Sequence, residues 1–274
     1  MITKNDFSLS GSDGKLIIGD ITFEDKNPNT PIVLFVHGFK GFKDWGAHNL
    51  VARYFASNGY RYMKFNFSYN GVPANDPKDV TDLDAFASNT VSKELFDLTA
   101  VLDFIEKAYG KETEVTLIGH SRGGGVSIIE AANDARVNKL ITWSAITDFD
   151  SLWKKEQEAE WLKTGKIYVT NARTKEQMPL NKTLLEDLKE NPDTLNIIEA
   201  AKKVNIPWLI IHGDDDVNVP FEKANDLAGA NPSSRIIKIE SANHVYGASH
   251  PYESETLPPQ LFKVCEKCLQ FLGE

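Results

Sequence analysis

The chain has 274 residues, of which 41% are hydrophobic and 25% charged, a balance that suits a globular protein with one large core. No apolar run approaches the roughly 18 residues needed to span a bilayer, and the opening Met1-Ile2-Thr3-Lys4-Asn5-Asp6 lacks a signal-peptide core, so a cytoplasmic protein is expected. A formal net charge of −9 without a large Lys/Arg cluster repels a phosphate backbone and argues against nucleic acid as a partner.

In chain order, Lys15 to Phe23 reads as an antiparallel opening strand and Ile32 to Val36 as a buried one. Ala47 to Ser57 has helical periodicity and is closed by Gly59; Tyr60 to Phe67 is the next strand. Ser92 to Tyr109 spaces Leu95, Leu98, Val101, Leu102 and Ile105 as one helical face that lies against the sheet. Val115 to Ile118, Lys139 to Ser144, Trp208 to His212 and Arg235 to Glu240 are further strands, and Pro259 to Leu272 is a closing helix. Apolar, β-branched runs alternating with helices predict an α/β fold: one domain over 1–274 with a mostly parallel sheet covered on both faces. Residues 148–204 break the rhythm, because about 55 residues separate two core strands where a crossover needs little more than a helix. That stretch reads as an inserted cap presenting Trp153, Trp161 and Tyr168 inward. Trp153 and Trp161 are candidate substrate contacts, with packing inside the cap as the alternative.

The most specific motif is Gly119-His120-Ser121-Arg122-Gly123, directly after an apolar strand and before a helix-compatible stretch. A serine projected into a cleft on a sharp strand-to-helix turn needs small residues on either side, and Gly119 and Gly123 provide that room. Acyl transfer by such a serine needs a base, an acid to orient it, and donors for the oxyanion. Ser241-Ala242-Asn243-His244 follows the last strand, which makes His244 the best base among six histidines. His250 is a rival further along that loop; His48 reads as a helix-surface residue, and His120 and His212 as buried against backbone beside motif glycines. Asp214, Asp215 and Asp216 end a core strand, and any of the three has the chemistry to orient an imidazole. His37-Gly38-Phe39-Lys40-Gly41 is a Gly-rich turn that would aim the Phe39 backbone N–H at a carbonyl oxygen, with the Arg122 N–H as second donor. The Arg122 guanidinium has two readings, a structural ion pair or a substrate contact.

Nothing here implies a cofactor or a metal. The glycines at 123–125 lack the lysine of a phosphate loop. Cys265 and Cys268 have no second Cys/His pair to complete a zinc set and read as two thiols in a reduced compartment.

Taken in order, His37-Gly38-Phe39, Gly119-His120-Ser121-Arg122-Gly123-Gly124, His212-Gly213 with Asp216 and Val219-Pro220, and then His244 resemble the α/β-hydrolase series. The match runs from Lys15 across essentially the whole chain. In that family the acid stands three residues after the His-Gly pair and shortly before Val-Pro, which selects Asp216. More narrowly, the chain is similar to bacterial cinnamoyl and feruloyl esterases and to dienelactone-hydrolase-like or serine-aminopeptidase-like relatives, which share the His-Gly-Phe turn and a small cap. It departs from them in Arg122, where Gln is frequent. The resemblance implies an α/β-hydrolase fold and a serine hydrolase acting on a small-molecule carboxylic ester through Ser121, His244 and Asp216. The acyl part would be aromatic or short and apolar. A peptidase or thioesterase would use the same triad, and a non-catalytic binding protein is the remaining alternative.

Overall fold

The computed structural model describes residues 1–24 and 30–274. Ten strands occur among them: β1 Ile2–Ser10, β2 Leu16–Glu24, β3 Ile32–Val36, β4 Arg61–Asn66, β5 Val115–His120, β6 Val137–Trp143, β7 Lys166–Thr170, β8 Gln177–Asn181, β9 Trp208–Gly213 and β10 Arg235–Ile239. The helices are α1 His48–Ser57, α2 Leu83–Ala87, α3 Val91–Tyr109, α4 Arg122–Asn133, α5 Glu158–Thr164, α6 Thr183–Glu190, α7 Ile197–Lys203, α8 Glu222–Ala230 and α9 Pro259–Leu272.

Eight strands form one sheet in the order β1-β2-β4-β3-β5-β6-β9-β10. β1 and β2 are antiparallel additions, and every pair from β4 to β10 is parallel. Continuous apolar strands are what a sheet buried on both faces requires. In β3, Ile32, Leu34 and Val36 enter the core beneath α3, α4, α7 and α8, while Val33 and Phe35 enter the one beneath α1 and α9. Each such fully buried side chain contributes about 1.5–3 kcal/mol relative to exposure.

β1 was not expected from the sequence. Its pattern is mostly polar and exposed, so no apolar face marks it, and its place rests on backbone pairing with β2 along the sheet edge. Within 148–204, Trp161 of α5 and Met178 and Leu180 of the β7–β8 hairpin are buried in the same apolar cluster as the helical layer of the main sheet. The last helix of this stretch, α7, buries Ile197, Ala200 and Ala201 in the same cluster as Val126 and Ile129 of α4, so it lies in the helical layer of the sheet.

The chain leaves β3 toward β4, then returns to place β5 on the other side of β3. At such a reversal the connections after neighbouring strands diverge and open a crevice at their carboxyl ends. His37 follows β3 there and Ser121 follows β5, with the two strands in register from Ile32↔Val115 to Val36↔Gly119. Close approach across this junction requires Gly123, where an added Cβ would stand 2.3 Å from the carbonyl oxygens of both Val36 and His37. Those atoms are backbone and have nowhere to retreat. Gly123→Ala is therefore expected to destabilise the protein by about 2 kcal/mol or more, measured as a lower urea midpoint than that of Gly229→Ala, an open helical position; equal midpoints would contradict the close packing.

Candidate active site

Ser121 sits at φ 56°, ψ −120°, a conformation that non-glycine residues adopt only when their surroundings impose it. Its N–H donates to the Trp143 carbonyl of β6 at 2.9 Å, and its carbonyl accepts from Gly124 at 3.0 Å. The strand before and the helix after are thus both anchored, and the turn between them aims the side chain at the crevice. Arg122 is the first residue of α4, so its N–H belongs to the helix end whose donors have no intrahelical acceptor and carry the positive end of the dipole.

The Phe39 N–H is oriented by His37. Its Nδ1–H donates to the Gly38 carbonyl at 2.9 Å, which also accepts from the Gly41 N–H at 3.0 Å. Because the peptide is planar and trans, fixing the Gly38 C=O fixes the Phe39 N–H in the opposite direction. His37 Nε2 accepts from the Phe67 N–H at 3.3 Å, which sets the neutral tautomer, and burial pushes the ring down to about 4. Gly38 also keeps this turn close to Ser121, since an added Cβ would lie 2.9 Å from Ser121 Cβ.

Of the three aspartates, Asp216 is the one joined to His244, with Nδ1–H donating to Oδ2 at 2.8 Å. Asp216 Oδ1 accepts from the Asn218 and Val219 N–H groups, each at 2.9 Å. His212 Nε2 donates to the Val219 carbonyl at 2.7 Å and lies 3.5 Å from Asp216 Oδ2. Burial pushes the Asp216 carboxyl up, but the bonds from His212, His244 and the Val219 amide outweigh it and hold the group well below the usual carboxylate range. Asp214 instead accepts from the Ser241 N–H at 2.6 Å. His120 Nε2 donates to the His244 carbonyl at 2.8 Å, and the two rings are 4.8 Å apart, so the loop after β10 is tied to the elbow.

Ser121 and His244 line one cavity of about 330 Å³. Its apolar wall comes from Phe39, Phe42, Trp45, Ile146, Leu152 and Val219; Lys40, Asn171, Arg173 and Asn218 make it polar elsewhere. The β7–β8 hairpin beside it is tied down by two contacts, Lys40 Nζ to the Thr170 carbonyl at 2.9 Å and Arg173 Nη2 to both Asp79 oxygens at 2.5 Å.

Several residues sit elsewhere than the sequence suggested. Trp153 and Trp161 do not line the cavity: they pack edge to face at 5.1 Å, and Trp161 Nε1–H donates to the Leu180 carbonyl at 2.9 Å. Both rings are buried in the same apolar core as the helical layer of the sheet, while Ser151, Leu152 and residues 171–173 line the cavity. His48 is not a helix-surface residue. Its ring packs at a tilt against Phe35 at 4.3 Å, lines the cavity, and its buried Nδ1 has no partner; placed at the first turn of α1, it faces the end of the sheet. His250 has both ring nitrogens engaged, Nδ1 by the Gly46 N–H and Nε2 by the Lys78 carbonyl, which leaves it no free lone pair for a base. The Arg122 side chain is buried against Glu94, and Cys265 and Cys268 are buried free thiols. Trp45, Phe42 and Leu152 were missed, because an aromatic or aliphatic side chain in a loop carries no periodic signal.

Among the described residues, no cluster of three or more His, Cys, Asp or Glu is placed to hold a metal ion, and no helix is long and apolar enough to cross a membrane. The model of the dienelactone hydrolase family matches residues 18–197, a span that includes the His37 turn and the elbow and ends before Asp216 and His244. The bifunctional esterase/perhydrolase DCH of Acinetobacter calcoaceticus is 27% identical, over 74% of this chain and 81% of that protein. Est1E of Butyrivibrio proteoclasticus, solved with ferulic acid bound, superposes with a TM-score of 0.71 at 18% identity, covering 97% of each chain. Mouse alpha/beta hydrolase domain-containing protein 10 superposes with a TM-score of 0.73 at 17% identity, covering 98% of each. The shared fold is that of the α/β hydrolases.

The neutral His37 has a consequence for stability. Above about pH 6.5 both folded and unfolded states hold it uncharged; between there and about 4 only the unfolded chain takes the proton. Stability is thus expected to fall as pH drops through that window, by about 3 kcal/mol from this residue. His37→Asn, which keeps a donor for the Gly38 carbonyl but does not titrate, should show a smaller loss between pH 7 and 4.5 in urea titrations. An unchanged loss would mean that other groups account for the acid sensitivity.

Proposed function

This chain belongs to the dienelactone hydrolase family and is an ester-cleaving hydrolase; within that class we propose that Ser121, His244 and Asp216 carry the reaction as a triad. The observation that carries the reading is the 2.8 Å bond between His244 Nδ1 and Asp216 Oδ2, formed at the cavity that Ser121 also lines. Asp216 holds the imidazole as the Nδ1–H tautomer, which leaves Nε2 with a lone pair for the serine proton.

Ser121 Oγ attacks the ester carbonyl as His244 Nε2 takes its proton, and the resulting oxyanion accepts hydrogen bonds from the Phe39 and Arg122 amides. The C–O bond to the alcohol then breaks, and His244 returns the proton to the departing oxygen. Water repeats the sequence on the acyl-enzyme, giving the carboxylic acid and free Ser121. No cofactor enters these steps. The apolar cavity wall supports an aromatic or short apolar acyl group, in keeping with the ferulic acid held by Est1E. Buried, unpaired Cys265 and Cys268 support a cytoplasmic setting.

A fluorophosphonate is expected to leave one adduct on Ser121, located by mass spectrometry. Ser121→Ala and Asp216→Asn should each lower kcat/KM by about 10⁴-fold with the fold retained, and near-normal turnover by either would refute the triad. Comparing p-nitrophenyl acetate, butyrate and octanoate, methyl ferulate and an aminoacyl anilide sizes the pocket. Faster release of the anilide than of any ester would favour a peptidase.

A further inference from the structure

The two residues whose amides would meet the oxyanion are also joined through their side chains. Arg122 turns into the protein, 1% exposed, and its Nε–H donates to Glu94 Oε2 of α3 at 2.9 Å. Glu94 is buried as well, and its other oxygen accepts from Asn89 Nδ2 at 2.7 Å. The Arg122 guanidinium carbon stands 5.6 Å over the Phe39 ring. That ring packs on Phe86 at 5.4 Å, has Lys40 Nζ 5.2 Å from its centroid, and belongs to a residue that lines the cavity. Arg122 Nη2 is buried with no hydrogen-bond partner.

A buried ion pair is poor value for stability alone, because desolvation offsets the attraction. An unpartnered guanidinium nitrogen makes the balance worse, and an apolar side chain of similar volume would fill the same space. What the charge adds is directional. A cation is drawn to the negative face of an aromatic ring, and here the ring belongs to the residue whose N–H must point into the cavity. Glu94 fixes the cation from behind, and Phe86 fixes the ring from the side.

We infer that Arg122, held by Glu94, is a positioning residue: its side chain seats the Phe39 ring and so couples the two halves of the oxyanion hole, one from the loop after β3 and one from α4. This rests on the triad and oxyanion reading above. Because the substrate's ground state gains little from these amides and the tetrahedral state gains much, loosening Phe39 should act on the transition state and spare substrate binding.

Replacing Arg122 alone would strand Glu94, so the test removes both charges: Arg122→Met with Glu94→Gln, which keeps an acceptor for Asn89. With folding checked by circular dichroism, kcat/KM for p-nitrophenyl butyrate should fall about 10–100-fold with KM nearly unchanged. The inhibition constant of butylboronic acid, which forms a tetrahedral adduct on serine, should rise by the same factor, while inhibition by butyrate should move by less than about two-fold. In a Phe39→Leu background the same pair should cost little more, since the ring it acts through is gone. A folded pair variant whose kcat/KM and boronate constant stay within about two-fold of wild type overturns the inference. Failure of the boronate on wild type, together with turnover by Ser121→Ala, overturns the hydrolase mechanism on which it rests.

Discussion

The positive φ of Ser121 is the constraint around which the rest of the molecule is arranged. A residue in that conformation costs about 1–3 kcal/mol and persists only where its neighbours over-determine it. Here they do so from three sides: β6 takes its N–H through Trp143, the first turn of α4 takes its carbonyl through Gly124, and Gly123 lets the helix start press against the carbonyls that end β3. Each contact needs the parallel order β3-β5-β6. The sheet can therefore be read as the scaffold that holds one serine in a backbone conformation it would not choose.

Around that serine the protein uses imidazoles as struts. His37 fixes the Gly38 peptide, His120 ties the His244 carbonyl to the elbow, and His212 braces the Val219 carbonyl beneath Asp216. A neutral imidazole has one donor and one acceptor in fixed directions, which suits bracing between loops that share no ladder. Burial holds His37 near 4 and His120 near 3, so neither introduces a charge that would compete with His244 for Asp216. The neighbouring glycines place His120 and His212 against backbone; the carbonyls they reach, those of His244 and Val219, lie in the loops after β10 and β9.

A second polar assembly supports the cavity from below. Asp20 of β2 accepts from Lys43 and Lys64 at 2.6 and 2.7 Å, and Asp44 closes the set by contacting both lysines. Lys43 and Asp44 lie between Phe42 and Trp45, which face the cavity. The network thus anchors a loop without secondary structure to two central strands. Opposite charges are matched inside it, which offsets part of the burial cost; burial still pushes Lys64 down, and Asp20 Oδ1 has no hydrogen-bond partner. Nothing in the spacing of residues 20, 43, 44 and 64 signals this, because the pairing depends on β2 lying antiparallel beside β4.

What the sequence alone determined was local and periodic. Strand runs, the α3 face, the glycines flanking Ser121 and the order of the motifs follow from two- and 3.6-residue repeats and from backbone needs that single residues satisfy. These sufficed for the fold class and for candidate residues at strand ends. Tertiary structure decided which residues meet. It joined Asp216 rather than Asp214 or Asp215 to His244, turned His48 toward the cavity, buried Trp153 and Trp161 edge to face in the core, and paired Arg122 with Glu94. Each of these depends on distance between elements far apart in the chain, and a side chain that is apolar, or charged and buried, looks the same in sequence whether it faces a core, a partner or a substrate. Edge strand β1 makes the same point from the opposite direction: mostly polar, with Phe7 stacked on Phe104, it is defined chiefly by the neighbour that supplies its hydrogen bonds.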